Sequence, residues 1–236
     1  MTLGFWREGA PIMVESLFWA AALLAAIFAL ALLSRYRYRH APFYLWWTIS
    51  FALYTVAYIT EATSVHTRWA VFPYQLYVIA SATLVATMSV GTTYLAFSKR
   101  IADIYAGFIV LLAVVLTGSV FITPPVIHGS WLALNGGKDA IVGLTQVVYI
   151  VMASLGGTIV IVGALWSWWK TRRYYNLLIA AGALAAGVGG TLASQGVGLS
   201  ILPVMNILGL VLIFVGYVYS RSSHQGQSAS RVARGA

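Results

Sequence analysis

Long apolar stretches alternate with short polar segments along the whole chain. A transmembrane helix needs roughly 20 mainly apolar residues, because the hydrocarbon core of a bilayer is about 30 Å thick. The pattern predicts seven such helices, at residues 12–34, 43–65, 71–97, 101–123, 144–169, 176–197 and 201–220. The predicted fold class is therefore an all-α integral membrane protein, with a single seven-transmembrane-helix bundle over residues 1–220.

The composition excludes a soluble globular domain. Only 8% of the 236 residues are charged and 61% are hydrophobic, whereas soluble domains carry about 25% charged residues. The chain has no cysteine, which excludes a disulfide scaffold, a Cys-ligated metal site and a cysteine nucleophile. The net charge of +9 is interpreted as a topology signal, so the expected partner is the lipid bilayer and not nucleic acid.

The basic residues predict the orientation of the helices. Eleven of the 14 Lys and Arg residues follow the first, third, fifth and seventh predicted helices, and three lie on the other side. Because cytoplasmic loops carry an excess of Lys and Arg, we expect a multi-pass protein of the cell membrane with its N-terminus outside and its C-terminus inside. Residues 221–236 are basic and rich in Ser, Gln and Gly, and we expect a disordered cytoplasmic tail there.

Small residues recur along the sixth predicted helix. Gly182, Ala186, Gly190 and Ser194 are spaced four apart, a spacing that lets helix backbones approach closely in lipid. The fifth and seventh helices carry further glycines, so helices five to seven are expected to form a tight unit. The alternative interpretation is that these glycines permit sliding or kinking during transport.

Two common membrane cofactors lack their protein ligands in this sequence. Retinal is bound as a Schiff base to a lysine in the last helix of the rhodopsins, but Lys99, Lys138 and Lys170 all lie at loops or helix ends. A bis-His haem needs paired histidines inside the bundle, and all four histidines lie in loops or the tail. No cofactor is therefore predicted, although a bound lipid or quinone stays open.

The informative polar residues lie in the outer third of six predicted helices. On the second helix, an aromatic stripe ends in the carboxyl group of Glu61, and its steps of four and three residues place its members on one helical face. Tyr74 and Tyr77 from the third helix and Tyr149 from the fifth are expected to face it. The candidate ligand-binding residues are Glu61, Tyr58, Tyr54, Tyr74, Gln75, Gln146, Gln195 and Asn206.

Each of these residues also has a structural interpretation. Polar and aromatic side chains are common near a membrane interface, and Glu15 in the first helix is expected to face lipid headgroups. The amides of Gln75, Gln146, Gln195 and Asn206 are expected to form hydrogen bonds between helices. For Glu61 the structural and functional interpretations have equal weight, although an acid inside the membrane is a candidate functional residue by default.

The chain resembles a family of small prokaryotic seven-span proteins without an assigned activity. The segments that carry the resemblance are Gly-Thr-Thr-Tyr-Leu at 91–95, Asn-Leu-Leu-Ile-Ala-Ala-Gly at 176–182 and Gly-Gly-Thr at 189–191. The resemblance implies the seven-helix fold and no functional residue. The similarity to rhodopsins is one of topology only.

Three classes of function are compatible with these features. The favoured one is an outward-facing pocket that binds or transports a small apolar or amphipathic ligand. The alternative is a receptor-like or scaffolding subunit that docks a membrane partner, or a second copy of the chain, through helices five to seven. The third is an enzyme acting on lipid or quinone, which is disfavoured because the sequence supplies neither a nucleophile motif nor a metal site.

The orientation can be tested by labelling, because the chain has no native cysteine. A cysteine at Ser130 should react with a membrane-impermeant maleimide on intact cells, and one at Ser98 should react only after permeabilisation. The opposite pattern would reverse the predicted topology.

Overall fold

Helices account for nearly all of the structure. The computed structural model describes residues 5–127, 140–194 and 201–234, and within these ranges it contains seven α-helices and no strand. The helices are α1 (Phe5–Arg39), α2 (Pro42–Thr67), α3 (Val71–Ala96), α4 (Lys99–Ile122), α5 (Gly143–Thr171), α6 (Tyr175–Ser194) and α7 (Ile201–Arg234).

Six of these helices are long and apolar enough to cross a membrane. They are α1 and α3 to α7, and each overlaps a span expected from the sequence. The exception is α2, which is 26 residues long but carries many tyrosine, tryptophan, serine and threonine residues. The structure therefore supports a multi-pass helical membrane protein, with α2 as the helix that hydropathy does not assign.

The helices pack into a ring with one helix outside it. α2 packs between α1 and α3, α5 packs against α3 and α6, and α7 packs against α6 and returns to α1. α4 contacts α3 and α5, and most of its surface stays exposed. As a result, α3 has neighbours on three sides and is buried along most of its length.

Apolar side chains cover the outer surface of the bundle. On α1, the exposed side chains include Trp19, Leu23, Ile27 and Leu30, which follow one another at helical spacing. Polar side chains such as Ser50, Ser64 and Ser89 are buried instead. This distribution, with apolar groups outside and polar groups inside, is what a bilayer requires.

Side-chain hydrogen bonds join α2 to α3. The Ser50 hydroxyl donates to the Leu84 carbonyl oxygen at 2.6 Å, and the Trp47 Nε1–H donates to the Met88 carbonyl oxygen at 3.2 Å. The indole of Trp47 occupies the space that a side chain at Gly91 would need. Gly91 therefore allows the two helices to approach closely enough for both hydrogen bonds.

Glycine also permits the close contact between α6 and α7. A Cβ atom on Gly182 would lie 2.5 Å from the Gly209 carbonyl oxygen, and a Cβ atom on Gly209 would lie 2.6 Å from that of Gly182. The predicted row of small residues is only partly used, because a Cβ atom at Gly190 would meet no described residue within 4 Å. Gly189 faces α7 in its place, against Met205.

Two helices extend beyond the predicted spans. α1 begins at Phe5, and α7 continues as a helix through Arg234, where a disordered tail was expected from residue 221. A helix that is already nucleated extends at little cost per residue, and no proline interrupts residues 221–234. The expectation of a disordered tail from residue 221 stays a prediction.

The contact between α6 and α7 gives a stability prediction. Gly209→Ala should destabilise the protein by roughly 1–3 kcal/mol, the usual cost of overpacking, because the new methyl group would clash with the Gly182 backbone. Gly190→Ala adds the same methyl group to an open position, so it should be neutral or stabilise by up to about 1 kcal/mol. Unfolding of both variants in mixed micelles measures the difference, and equal effects would contradict the close contact.

Candidate functional site

Glu61 lies inside the bundle, near the end of α2 that connects to α3. Its side chain is 5% exposed. The aromatic stripe predicted from the sequence lies on the same buried face of α2. Its members are Trp47, Phe51, Tyr54, Tyr58 and Glu61, and each of them is buried.

Helices α3 and α5 bring polar groups to Glu61. The Tyr77 hydroxyl of α3 lies close enough to the Glu61 carboxyl group to interact with it. The Tyr149 hydroxyl of α5 lies close enough to interact electrostatically with Glu61, and it accepts a hydrogen bond from Ser81 Oγ at 3.3 Å. The expected approach of Tyr77 and Tyr149 to the stripe is therefore present in the structure. We call Glu61, Tyr77, Tyr149, Ser81 and Tyr58 the Glu61 cluster.

Two groups of aromatic rings in contact with one another flank the Glu61 cluster. In the first, the ring of Tyr58 lies 5.1 Å from that of Tyr54 and 6.3 Å from that of Phe18 on α1. In the second, Trp69 lies 5.1 Å from Tyr74 and 5.2 Å from Tyr77. Tyr77 belongs to the second group, and its hydroxyl interacts with the Glu61 carboxyl group. The carboxyl group therefore lies where the two groups meet.

Two buried donors near the cluster lack a hydrogen-bond partner. The Tyr58 hydroxyl and the Trp69 Nε1–H bond no other residue in the described parts of the chain. The Tyr58 hydroxyl interacts with that of Tyr54, one turn earlier, but the contact falls short of hydrogen-bond geometry. Buried polar groups are nearly always hydrogen-bonded, which makes these two atoms candidate contacts for a bound ligand.

Several polar side chains on inward faces remain partly accessible. On α7, Asn206 shares a face with Leu202, Gly209 and Ile213, all of which are buried, yet Asn206 itself is half-buried. Tyr77, Ser81, Tyr149 and Gln146 are also only partly buried. These partly accessible polar side chains are the candidates to contact a ligand at this end of the bundle.

The candidate amides do not all belong to the Glu61 cluster. Gln75 Nε2 donates to the Val120 carbonyl oxygen of α4 at 3.0 Å, so Gln75 joins two helices instead of contacting Glu61. Tyr74 is buried within the aromatic group beside Trp69. Gln195 lies outside the described residues.

Glu15, the other acid in a predicted helix core, has a different environment. It is half-buried on α1 and accepts a hydrogen bond from Trp19 Nε1 at 3.2 Å, four residues along the same helix. The two acids therefore differ in burial and in neighbours, which makes Glu15 a useful control for Glu61.

Two residues near Glu61 were not predicted from the sequence. Trp69 lies in the short turn between α2 and α3, where no helical period assigns a side chain to the interior. Ser81 could have been found, because it lies four residues after Tyr77 and therefore on the same face of α3. In the described parts of the chain, no three His, Asp or Glu side chains come together as metal ligands would.

Comparison with protein-family models, with curated proteins and with solved structures finds no match to this chain. The resemblance to a prokaryotic seven-span family therefore stays a prediction.

The interaction between the Tyr77 hydroxyl and the Glu61 carboxyl group can be tested by measuring the stability of a variant. Tyr77→Phe keeps the ring but removes the donor, which leaves the buried carboxyl group without this partner. We expect the free energy of unfolding to fall by roughly 1–3 kcal/mol, the cost of an unsatisfied buried group. Tyr38→Phe removes a hydroxyl from an exposed tyrosine in the last turn of α1 and should change stability by less than about 0.5 kcal/mol. Equal effects of the two substitutions would contradict the role of the Tyr77 hydroxyl.

Proposed function

We propose that the protein binds or transports a small apolar or amphipathic ligand in an outward-facing pocket around the Glu61 cluster. The observation that carries this proposal is the set of partly accessible polar side chains on inward faces beside a buried carboxyl group. Ligand pockets combine apolar walls with a few convergent polar groups, and two groups of aromatic rings supply such walls here.

The proposal includes seven membrane spans, with α2 as the second. Five successive positions on its exposed face carry Ile49, Ala52, Val56, Ile59 and Thr63, and four of these are apolar. Most of the polar and aromatic side chains that lower its hydropathy lie on its buried faces. A helix with this distribution can contact lipid on one side and line a polar interior on the other.

The proposal also includes the orientation, with the N-terminus outside, the C-terminus inside and the protein in the cell membrane. The ends of α1, α3 and α5 that carry most of the basic residues would then face the cytoplasm. Glu61 lies toward the opposite end of α2, so the pocket would open to the outside.

A matched pair of substitutions tests the pocket. Ser81→Phe would place a ring in the Glu61 cluster, whereas Ala52→Phe would place the same ring on the exposed face of α2. Each protein is purified in mild detergent and extracted with solvent, and the extract is analysed by absorbance and mass spectrometry. We expect a small amphipathic molecule in stoichiometric amount with the wild type and Ala52→Phe, and a loss of at least tenfold with Ser81→Phe.

A negative extract needs a second measurement, because a ligand can be lost during purification. Uptake of small apolar and amphipathic solutes into proteoliposomes then compares the same three proteins. If neither a bound molecule nor any uptake distinguishes wild type from Ser81→Phe, the pocket proposal is wrong.

The docking alternative has one observation in its favour. Gly187 and Gly190 of α6 are exposed, and none of the residues that the structure describes lies within 4 Å of a Cβ atom built on either. Exposed glycines let a further helix approach the backbone closely. If this face docks a partner or a second copy, Gly190→Leu should release the associated chain during purification while leaving ligand binding intact.

A further inference from the structure

The Glu61 carboxyl group lacks a counter-charge within the described parts of the chain. It is almost fully buried, and the neutral Tyr77 hydroxyl interacts with it. Its charged or polar neighbours are other phenols, from Tyr54, Tyr58 and Tyr149. A buried carboxyl group in a protein is normally either protonated or paired with a cation, and a bound cation would stabilise the charged form of this one.

The rings around Glu61 are suited to the same charge. A cation within about 6 Å of the face of a tryptophan or tyrosine ring is attracted by its quadrupole. Trp69, Tyr77, Tyr54 and Tyr58 all belong to the groups that meet at Glu61. Aromatic faces combined with a carboxylate form the kind of cage that recognises alkylated ammonium groups.

The Tyr58 hydroxyl adds a second polar contact. It is buried, with its ring 1% exposed, and it has no hydrogen-bond partner among the described residues. Its oxygen can accept a hydrogen bond from an N–H group, so a protonated amine could satisfy both Tyr58 and Glu61.

From this arrangement we infer that the ligand is a small organic cation, an amine or quaternary ammonium group attached to an apolar body. The cationic group contacts Glu61, and the aromatic rings surround it. This inference rests on the proposed pocket and adds the charge of its ligand. The competing explanation is that Glu61 has only a structural role as a hydrogen-bond acceptor, in which case the charge of the ligand has no influence on binding.

Two probes of matched shape separate these explanations. Benzyltrimethylammonium carries a positive charge, and neopentylbenzene has a carbon atom in place of its nitrogen. Binding of each is measured by calorimetry with the purified full-length protein in nanodiscs of zwitterionic lipid, and empty nanodiscs correct for partitioning into the bilayer. We expect the wild type to bind the cation with one saturable site and roughly tenfold to hundredfold more tightly than the neutral probe, the range for a charged contact.

Three variants test the source of this preference. Glu61→Gln keeps the size of the side chain and removes its charge. It should abolish the preference by lowering the affinity for the cation at least tenfold, while the affinity for the neutral probe stays unchanged. Glu61→Asp keeps the charge and should retain a preference for the cation. Glu15→Gln removes the other acid and should change neither affinity.

The preference is a ratio measured on one preparation, so partial unfolding of a variant does not change its interpretation. If both probes bind the wild type equally and Glu61→Gln has no effect on either, the charge inference is wrong and the pocket remains. If neither probe binds at a saturable site, the charge inference is overturned together with the aromatic pocket on which it rests. A preference that survives Glu61→Gln would assign the cation to another site and also overturn the inference.

Discussion

Lipid offers no hydrogen bonds, so each polar group within a membrane has to find its partner inside the protein. Most hydroxyl groups of this chain do so locally. Thr48 and Thr93, for example, bond carbonyl oxygens four residues earlier on their own helices, at 2.8 Å in both cases. A smaller set reaches across helices, as Gln75 does to Val120. The Glu61 cluster differs, because not all of its polar groups form a hydrogen bond within their own helix or to a neighbouring one. The Tyr58 hydroxyl in the cluster and the Trp69 Nε1–H beside it have no hydrogen-bond partner among the described residues.

The helices follow from the sequence because the hydropathy signal is long and strong. The order of the helices around the ring does not follow from the sequence, because hydropathy does not indicate which helices are neighbours. α3 contacts α5 as well as α4, an arrangement that short connections alone would not suggest. The spacing of small residues predicted only some of the contacts between helices. Gly182 and Gly209 lie at a helix contact, but Gly190, in the same row, faces open space, because the row turns away from α7 along the helix.

The site was predictable where one face of a helix is buried and less so elsewhere. α2 has an exposed apolar face and a buried aromatic face, so the spacing from Trp47 to Glu61 identified the buried stripe. α3 is buried on nearly all sides. The helical periodicity of its sequence therefore does not predict which neighbouring helix each side chain contacts. Tyr74 and Gln75 are adjacent in sequence and were grouped together, yet one packs on Trp69 and the other bonds α4. Trp69 lies in a turn, after Arg68 with its left-handed φ of 61°, and periodicity says nothing there.

The low hydropathy of α2 and the composition of the Glu61 cluster have one physical cause. Hydropathy averages over the whole circumference of a helix, whereas the bilayer acts only on the part that faces lipid. The exposed face of α2 is mainly apolar, and its inward faces carry most of the polar and aromatic side chains that lower the average. A helix that lines a polar interior site must have this mixture, because its inward groups are needed for binding and its outward groups for solubility in lipid. The helix that is least apparent as a membrane span is therefore the one on which a ligand site is most expected.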